Sequence, residues 1–359
     1  MPKNKKDLTF SDSINEALKF SLKKDKNLIS YGLGISDPKN IFGTTKNLEK
    51  FYGKRRIFDV PCSENALTGV SIGLALAGIK SVVTHQRLDF FLLAMDQLVN
   101  SAAKWYFMFG SKISIPITIR LIMGKGWGQG PTHSQNLQSW FAHIPGLKVV
   151  MPTFPKDAKD LLIESIKDPN PVIFLESRWL HSFNGKIKKK INKKAIIGKS
   201  QVIKNGKDIT IIAMSYLSVE SLKASKYLEQ VHKISCEIID LITIKPIDYE
   251  TIFKSVKKTK HVIVLDTGYK TCSVAGEIIS SIVMNKKIKL KKIPNMITMP
   301  DIPEPTSYSL TKNFFINHEK ICKKILHIFG KNTKISPKKF FNDEFLHHDQ
   351  PNQKFFGPF

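Results

Sequence analysis

A glutamate at the start of a helix of small residues is the first candidate for chemistry. Glu64 follows a strand-and-turn stretch and precedes residues 65–78, where Gly69, Gly73 and Gly78 leave little side-chain volume. Such a helix can pack closely against a neighbour, so a carboxylate at its start is expected to be poorly solvated. A poorly solvated carboxyl group can exchange a proton with a bound heterocycle. The alternative, a first-turn glutamate that complements the helix dipole, stays open at this point.

A histidine behind a glycine-rich loop is the second candidate. Residues 124–130 contain four glycines, and His133 follows just before a predicted helix, with His143 further on. Glycines let a backbone approach a ligand closely, and we interpret the segment as a mobile loop. Histidine transfers protons near neutral pH. The glycine spacing matches neither a P-loop nor a dinucleotide-binding fingerprint, and a structural, hydrogen-bonding histidine is the alternative.

Two further positions have ligand-binding side chains. Phe90 begins an amphipathic helix, and its ring could stack on a flat heterocycle, although core packing is the alternative. Asp168 and Asn170 precede a buried strand in a proline-containing turn. Their oxygens are the ligands that a hard cation takes, but the same residues are routine turn formers.

Short β-branched runs alternate with helical patterns along the chain, and most of the runs are apolar on both faces. The predicted strands are 81–84, 115–120, 148–151, 171–176, 209–213, 235–241 and 261–266. The predicted helices are 65–78, 90–109, 155–167, 217–232, 248–258, 272–284 and 312–328. This alternation predicts an α/β protein with two doubly wound domains.

A polar, lysine-rich stretch divides the pattern. We expect a first domain over residues 1–185, a linker over 186–198, a second domain over 199–330 and a tail over 331–359. The tail has no hydrophobic period but contains five phenylalanines in its last nineteen residues. These phenylalanines favour partial docking over a fully solvated tail.

The charge of the chain is strongly positive, yet its composition argues against nucleic acid as a partner. The net charge is +26, but only five of the 56 basic residues are arginine, the residue that phosphate and base recognition favours. We expect a solvated, lysine-rich surface, with attraction to an acidic partner protein left open. No apolar run has the roughly 18–20 residues of a membrane span, and no secretory or transit signal is visible. The expectation is a cytoplasmic protein that does not contact the membrane, with its four separated cysteines reduced.

In combination, these stretches resemble the beta subunit of thiamine-diphosphate-dependent 2-oxoacid dehydrogenases, the decarboxylating component of the pyruvate and branched-chain complexes. The resemblance covers roughly residues 28–330 in order. The matching segments are Phe42–Thr45, Ser63–Glu64, Ala94–Lys104, His133–Gln135, His143–Val150, Asp157–Lys159, Asp168–Glu176, Pro246–Asp248 and Ala275–Ile278. It implies a pyrimidine-binding transketolase-like domain followed by a transketolase C-terminal-type domain.

The resemblance also implies a role for each matched residue. Glu64 aligns with the catalytic glutamate that bonds the aminopyrimidine ring of thiamine diphosphate, and Phe90 with the aromatic residue that packs on that ring. His133 aligns with the histidine that handles the substrate and the transfer to the lipoyl group. Asp168 and Asn170 align with a structural potassium site of some relatives. The implied reaction is oxidative decarboxylation of pyruvate or a related 2-oxo acid, with acyl transfer to lipoyl or another acceptor.

One motif of such enzymes is absent from this chain. The Mg²⁺-diphosphate site usually contains Gly-Asp-Gly, which does not occur here. In the family an alpha subunit supplies it, so the resemblance implies an α₂β₂ assembly and inactivity of the chain alone, and it suggests a lipoyl acyltransferase as a further partner. Gly32-Leu-Gly-Ile35 replaces an acidic segment of the family and Leu93 replaces a glutamine, which leaves the substrate side chain and the acyl acceptor open.

Two alternative functions remain. The first is half of a split transketolase or deoxyxylulose-phosphate synthase, because Gly130-Pro-Thr-His133 partly matches the text around their loop histidine. The second is a non-catalytic scaffold subunit. Retention of both Glu64 and His133 argues against the scaffold.

Overall fold

The computed structural model describes residues 8–184, 194–335, 340 and 348–351. It contains two α/β units, each with a largely parallel sheet covered by helices, which confirms the predicted fold class. Most of the predicted linker, residues 186–193, lies outside the described residues, and the predicted domain boundaries stay predictions. Among the described residues, no helix combines the length and the apolar composition that a membrane span requires.

The first unit is built on a seven-stranded sheet. Its strands in chain order are β1 Ile29–Gly32, β2 Ile57–Phe58, β3 Ser81–His85, β4 Ile117–Met123, β5 Lys148–Val150 and β6 Val172–Ser177. Its helices are α1 Phe10–Lys24, α2 Leu48–Tyr52, α3 Glu64–Leu76, α4 Leu88–Phe91, α5 Ala103–Met108, α6 Gln138–His143 and α7 Pro155–Lys167. The spatial order is β5-β6-β4-β3-β1-β2, all parallel, and a seventh strand from the second unit lies outside β5.

The second unit supplies that seventh strand and a five-stranded sheet of its own. Its strands are β7 Gln201–Lys204, β8 Ile209–Ala213, β9 Cys236–Asp240, β10 Thr243–Lys245, β11 Val262–Tyr269 and β12 Asn295–Met299. Its helices are α8 Tyr216–His232, α9 Tyr249–Thr259, α10 Val274–Met284, α11 Tyr308–Phe314 and α12 His318–Ile328. The order is β12-β11-β8-β9-β7, with only β7 antiparallel, while β10 pairs antiparallel with β5 of the first sheet.

Several elements differ from those predicted. Helix α1 was not predicted; Thr9 and Asp12 form a capping box at its start, and its apolar face packs against α7. The predicted helix over 90–109 is interrupted by a 3₁₀ turn at Leu92–Ala94 and a π-helical segment at Gln97–Ala102. The predicted helix over 312–328 is two helices, α11 and α12, because the chain is extended at Phe315 and Asn317.

Candidate active site

The three residues predicted to bind the cofactor or act in catalysis follow neighbouring strands of the first sheet. Glu64 follows β2, Phe90 follows β3 and His133 follows β4. In this sheet β2 and β3 flank β1, and β4 lies beside β3. Because these strands are parallel, their carboxyl ends meet at one edge, the place where open α/β sheets bind ligands. The fold therefore places all three residues at the same edge.

Glu64 is the first residue of α3, and its side chain is turned inward. It is only 7% exposed, although its neighbours in the turn are exposed. Among the described residues, the one hydrogen-bond partner of its carboxyl group is the thiol of Cys62, with Sγ 3.7 Å from Oε1 and 3.9 Å from Oε2. The negative charge of Glu64 raises the pKa of the Cys62 thiol. A thiol is a weak donor, so this buried carboxyl can still bind a ligand nitrogen.

Phe90 and His133 contact each other directly. Their ring centroids are 5.4 Å apart and the rings are nearly perpendicular, and Phe90 is 39% exposed. The Nδ1 atom of His133 lies 3.0 Å from Oγ1 of Thr132. Asp89, a residue for which the sequence indicated no role, accepts hydrogen bonds at Oδ1 from the backbone and side-chain nitrogens of Gln135. These bonds fix the segment after His133 to helix α4.

The glycine-rich loop is approached by other parts of the chain. A Cβ atom on Gly126 would lie 2.4 Å from the carbonyl oxygen of Asp349, and one on Gly130 would lie 2.5 Å from Oγ1 of Thr306. Both glycines also have positive φ angles. The glycines are therefore needed for contacts with the second unit and the C-terminal segment, which differs from our interpretation of a mobile, ligand-facing loop.

Two buried ionisable residues, one in this loop and one that contacts it, were missed. Lys125 is 5% exposed, and burial lowers its pKa to about 7. Glu304 of the second unit accepts a hydrogen bond from the backbone nitrogen of Gly126 at 3.2 Å, and burial raises its pKa to about 8. The sequence contained a weak signal for each, a lysine between two glycines and a glutamate between two prolines.

A buried ion pair links two strands of the sheet behind the site. Nε of Arg120 in β4 lies 2.7 Å from Oε1 of Glu176 in β6, and both side chains are fully buried. His181 lies 3.3 Å from the other carboxylate oxygen, and burial lowers its pKa to about 4. Although burial alone raises the pKa of Glu176, Arg120 and His181 hold it below its ordinary value. The ion pair thus connects β4 with its neighbour β6, and His133 lies in the segment that follows β4.

Asp168 and Asn170 lie far from the other candidates, in the turn before β6 at the amino-terminal edge of the sheet. Asp168 Oδ2 is 2.5 Å from Nζ of Lys148, and its Oδ1 accepts a hydrogen bond from the backbone nitrogen of Asn170. The side-chain oxygen of Asn170 is buried without a hydrogen-bond partner in the described part of the chain. Of the side-chain oxygens of Asp168 and Asn170, only this amide oxygen lacks a partner among the described residues. The described residues also contain no cluster of three or more His, Cys, Asp or Glu side chains that could hold a metal.

A cavity of about 530 Å³ lies between the two units, away from these residues. His143, Lys245 and Lys270 contribute to its lining, whereas Glu64, Phe90 and His133 do not.

Comparison with known proteins defines the class to which this fold and site belong. Residues 6–182 match the model of the transketolase pyrimidine-binding domain, and residues 198–321 match the transketolase C-terminal domain. A solved structure, a split-gene transketolase described as an inactive beta4 tetramer, has a TM-score of 0.73 at 16% identity. That match covers 90% of this chain and 98% of the other and supports the fold alone.

Curated relatives narrow the class. The mitochondrial pyruvate dehydrogenase E1 component subunit beta of Pisum sativum is 34% identical over 310 residues, 86% of either chain. The beta subunit of acetoin:2,6-dichlorophenolindophenol oxidoreductase of Bacillus subtilis is 32% identical over 337 residues, 90% of this chain and 98% of the relative. The chain therefore belongs to the family of beta subunits of 2-oxoacid dehydrogenases, a thiamine-diphosphate-dependent family of oxidoreductases.

Proposed function

We propose that this chain is the beta subunit of a thiamine-diphosphate-dependent 2-oxoacid dehydrogenase that oxidatively decarboxylates pyruvate or a related 2-oxo acid. The acyl group is transferred to a lipoyl group or another acceptor, and activity requires an alpha subunit. The main supporting observation is the buried carboxyl group of Glu64 at the carboxyl edge of the sheet, whose described hydrogen-bond partner is only a thiol.

The residues at this edge fit the pyrimidine half of the cofactor. Thiamine diphosphate, when bound, supplies the carbon nucleophile and electron sink that decarboxylation needs. In our proposal Glu64 binds a ring nitrogen and holds a proton there, and the exposed part of the Phe90 ring packs on the heterocycle. Burial of Glu64 excludes water from that proton, which strengthens the hydrogen bond.

His133 is proposed to act on the substrate side. Contact with Phe90 and the hydrogen bond with Thr132 orient the imidazole, leaving one ring nitrogen to donate or accept a proton. A histidine in this position can stabilise charge on a 2-oxo acid and assist acyl transfer. Asp89 keeps the following segment in place through Gln135.

A second polypeptide is proposed to supply the rest of the site. This chain has no Gly-Asp-Gly segment, so an alpha subunit in an α₂β₂ assembly is expected to hold Mg²⁺ and the diphosphate. The exposed face of α3, with Gly73, Ala66 and Val70, can pack closely against that subunit. We propose a lipoyl acyltransferase as a further partner and a potassium ion near Asp168 and Asn170. We expect a cytoplasmic location, while some relatives are mitochondrial.

The test is reconstitution of the chain with an alpha subunit that contains Gly-Asp-Gly. We expect thiamine-diphosphate-dependent release of carbon dioxide from a 2-oxo acid. Glu64→Gln should lower kcat by about 10²–10⁴-fold, because a positioned proton donor is lost, while the assembly keeps its size in sedimentation. Glu277→Gln is the matched control, since Glu277 is also a first-turn glutamate, in α10, but is exposed and accepts hydrogen bonds only from Tyr249 and Ser281 among the described residues.

Three results would contradict the proposal. Full activity of Glu64→Gln would remove the assigned role of this residue. Turnover of a ketose phosphate in place of a 2-oxo acid would favour the split transketolase, whose fold is similar. Assembly with the alpha subunit without any cofactor-dependent turnover would support the scaffold.

A further inference from the structure

Lys125 lies inside a cage of aromatic rings contributed by both units. Its Nζ atom is 3.7 Å from the ring centroid of Trp179 and 3.6 Å from that of Tyr216, with Phe315 at 4.9 Å. Trp179 follows the last strand of the first unit, whereas Tyr216 and Phe315 belong to the second unit. This lysine therefore connects the two units.

Burying an ammonium group is unfavourable unless its surroundings compensate the charge. The three ring faces attract the cation, and such contacts are strongest where water is excluded. Burial has the largest effect and lowers the pKa of Lys125 to about 7, while Glu220 and Glu304 favour the charged form and Lys223 and Lys320 oppose it. The ring faces therefore offset part of the cost of burying the ammonium group, and the side chain is held from several sides.

The position of Lys125 in the chain links this cage to the candidate active site. Lys125 stands between Gly124 and Gly126 in the loop that follows β4. The backbone nitrogen of Gly126 donates to Glu304, and Gly124 lies against the carbonyl oxygen of His133, which a Cβ there would approach to 2.1 Å. A displacement of Lys125 would therefore move the backbone that supports His133.

We propose that Lys125 is a positioning residue that fixes the glycine-rich loop, and with it His133, by binding its ammonium group between aromatic rings of both units. Only the expected effect of Lys125 on catalysis rests on the proposed function. The fixing of the loop is a property of the chain alone and can be measured without a partner.

The first experiment is hydrogen–deuterium exchange of the full chain, followed in peptides that contain residues 124–133. Lys125→Ala should increase exchange in this loop by roughly tenfold, the order expected when a buried cation–π contact is lost. Lys125→Arg, which keeps the cation, should restore protection. Exchange of α7 should not change, which separates loop opening from global destabilisation.

Lys245→Ala is the matched control. Lys245 also connects the two units, because its Nζ in β10 donates to the carbonyl oxygens of Ala142 and Ile144, each at 2.7 Å. It does not contact the glycine-rich loop, so loop exchange should stay as in the unmodified chain. Unchanged loop exchange in Lys125→Ala, or equal increases in both alanine variants, would overturn the proposal.

The second experiment uses the reconstituted enzyme and a double-mutant cycle. Lys125→Ala should lower kcat by roughly tenfold with little change in the KM for the cofactor, and Lys125→Arg should recover most of the loss. In a His133→Ala background, Lys125→Ala should cause no further loss, because both changes act on the same step. Additive losses would overturn the assigned role toward His133.

If the unmodified assembly shows no thiamine-dependent turnover, the proposed function fails, while the exchange result still decides the role of Lys125 in the loop.

Discussion

Asp240, at the end of β9, is a buried carboxyl group whose two oxygens have different surroundings. Oδ1 accepts hydrogen bonds from the hydroxyls of Thr153 and Ser218, at 2.8 and 2.6 Å, whereas Oδ2 has no hydrogen-bond partner among the described residues. Burial, together with the nearby Asp157, raises the pKa of Asp240 to about 8. The folded chain therefore binds a proton here that the unfolded chain releases.

The sign of the resulting pH dependence follows from linkage. The bound proton contributes fully to the free energy of unfolding when the pH is below the ordinary aspartate pKa of about 4. This contribution is lost as the pH rises toward 8, the pKa of Asp240 in the folded chain. Asp240→Asn resembles the protonated form and does not ionise. We expect it to raise the free energy of unfolding by about 2–4 kcal/mol at pH 8 and by much less near pH 5, measured by urea denaturation.

Asp301→Asn is the control for this prediction, because Asp301 is exposed. It should change the free energy of unfolding by less than about 0.5 kcal/mol at either pH. If Asp240→Asn had the same effect at pH 5 and pH 8, the carboxyl group of Asp240 would not change its protonation in the folded chain over this range.

At the residue scale, the sequence identified side chains whose type suits the chemistry, and it missed those that act through distant contacts. Phe90 and His133 were predicted separately, and the structure brings their rings together. Lys125 and Glu304 could not be paired in advance, since 178 residues separate Glu304 from its hydrogen-bond donor Gly126. Such a contact depends on how the two units pack, which no local pattern contains.

At the element scale, Gly146 before β5 illustrates a backbone that only glycine allows. Its φ angle is +91°, and a Cβ atom would lie 1.8 Å from the carbonyl oxygen of Ala103 in α5. Gly146→Ala should lower the free energy of unfolding by more than about 2 kcal/mol, because backbone atoms on both sides must shift. Urea denaturation of the chain measures this change.

Gly73 in α3 is the contrasting glycine. It is helical and exposed, and no atom lies within 4 Å of the position of a Cβ. Gly73→Ala should therefore raise the free energy of unfolding of the isolated chain by about 0.5–1 kcal/mol. Equal effects of the two substitutions would mean that the close approach at Gly146 does not determine stability.

A helix or strand could be predicted from the sequence where one hydrophobic period extended over its whole length. Helix α7 and strand β8 were predicted with the bounds that the structure has, since each has a continuous pattern and clear ends. The segment 90–109 has one helical pattern but contains 3₁₀ and π-helical turns, which the hydrophobic period does not distinguish. Helix α1 was missed beside a charged N-terminal region, although Phe10, Ile14 and Leu18 recur at helical spacing and a capping box precedes them.

At the scale of the whole molecule, the end of α5 and the turn after it expose a set of large apolar side chains. Phe107 is 88% exposed, and Tyr106, Met108, Phe109 and Ile113 are all at least 40% exposed. Contiguous exposed apolar residues are typical of protein–protein contacts. This surface is consistent with the proposed multisubunit assembly.

Phe107→Asp should weaken association while leaving the fold intact, because it places a charge in an apolar contact. Sedimentation velocity of the chain, alone and with its alpha subunit, should show smaller species than the unmodified chain forms. Ile293→Asp is the matched control, since Ile293 is 85% exposed on the second unit, away from this surface. Equal sedimentation of Phe107→Asp and the unmodified chain would exclude this surface from the assembly.

Strand β10 belongs to the second unit by sequence but completes the edge of the first sheet beside β5. During synthesis, the edge of β5 therefore has unpaired backbone groups until the ribosome has released the chain through Lys245. An open strand edge is a template for pairing with another chain. The edge of β5 is therefore open to such pairing until β10 has been synthesised and covers it.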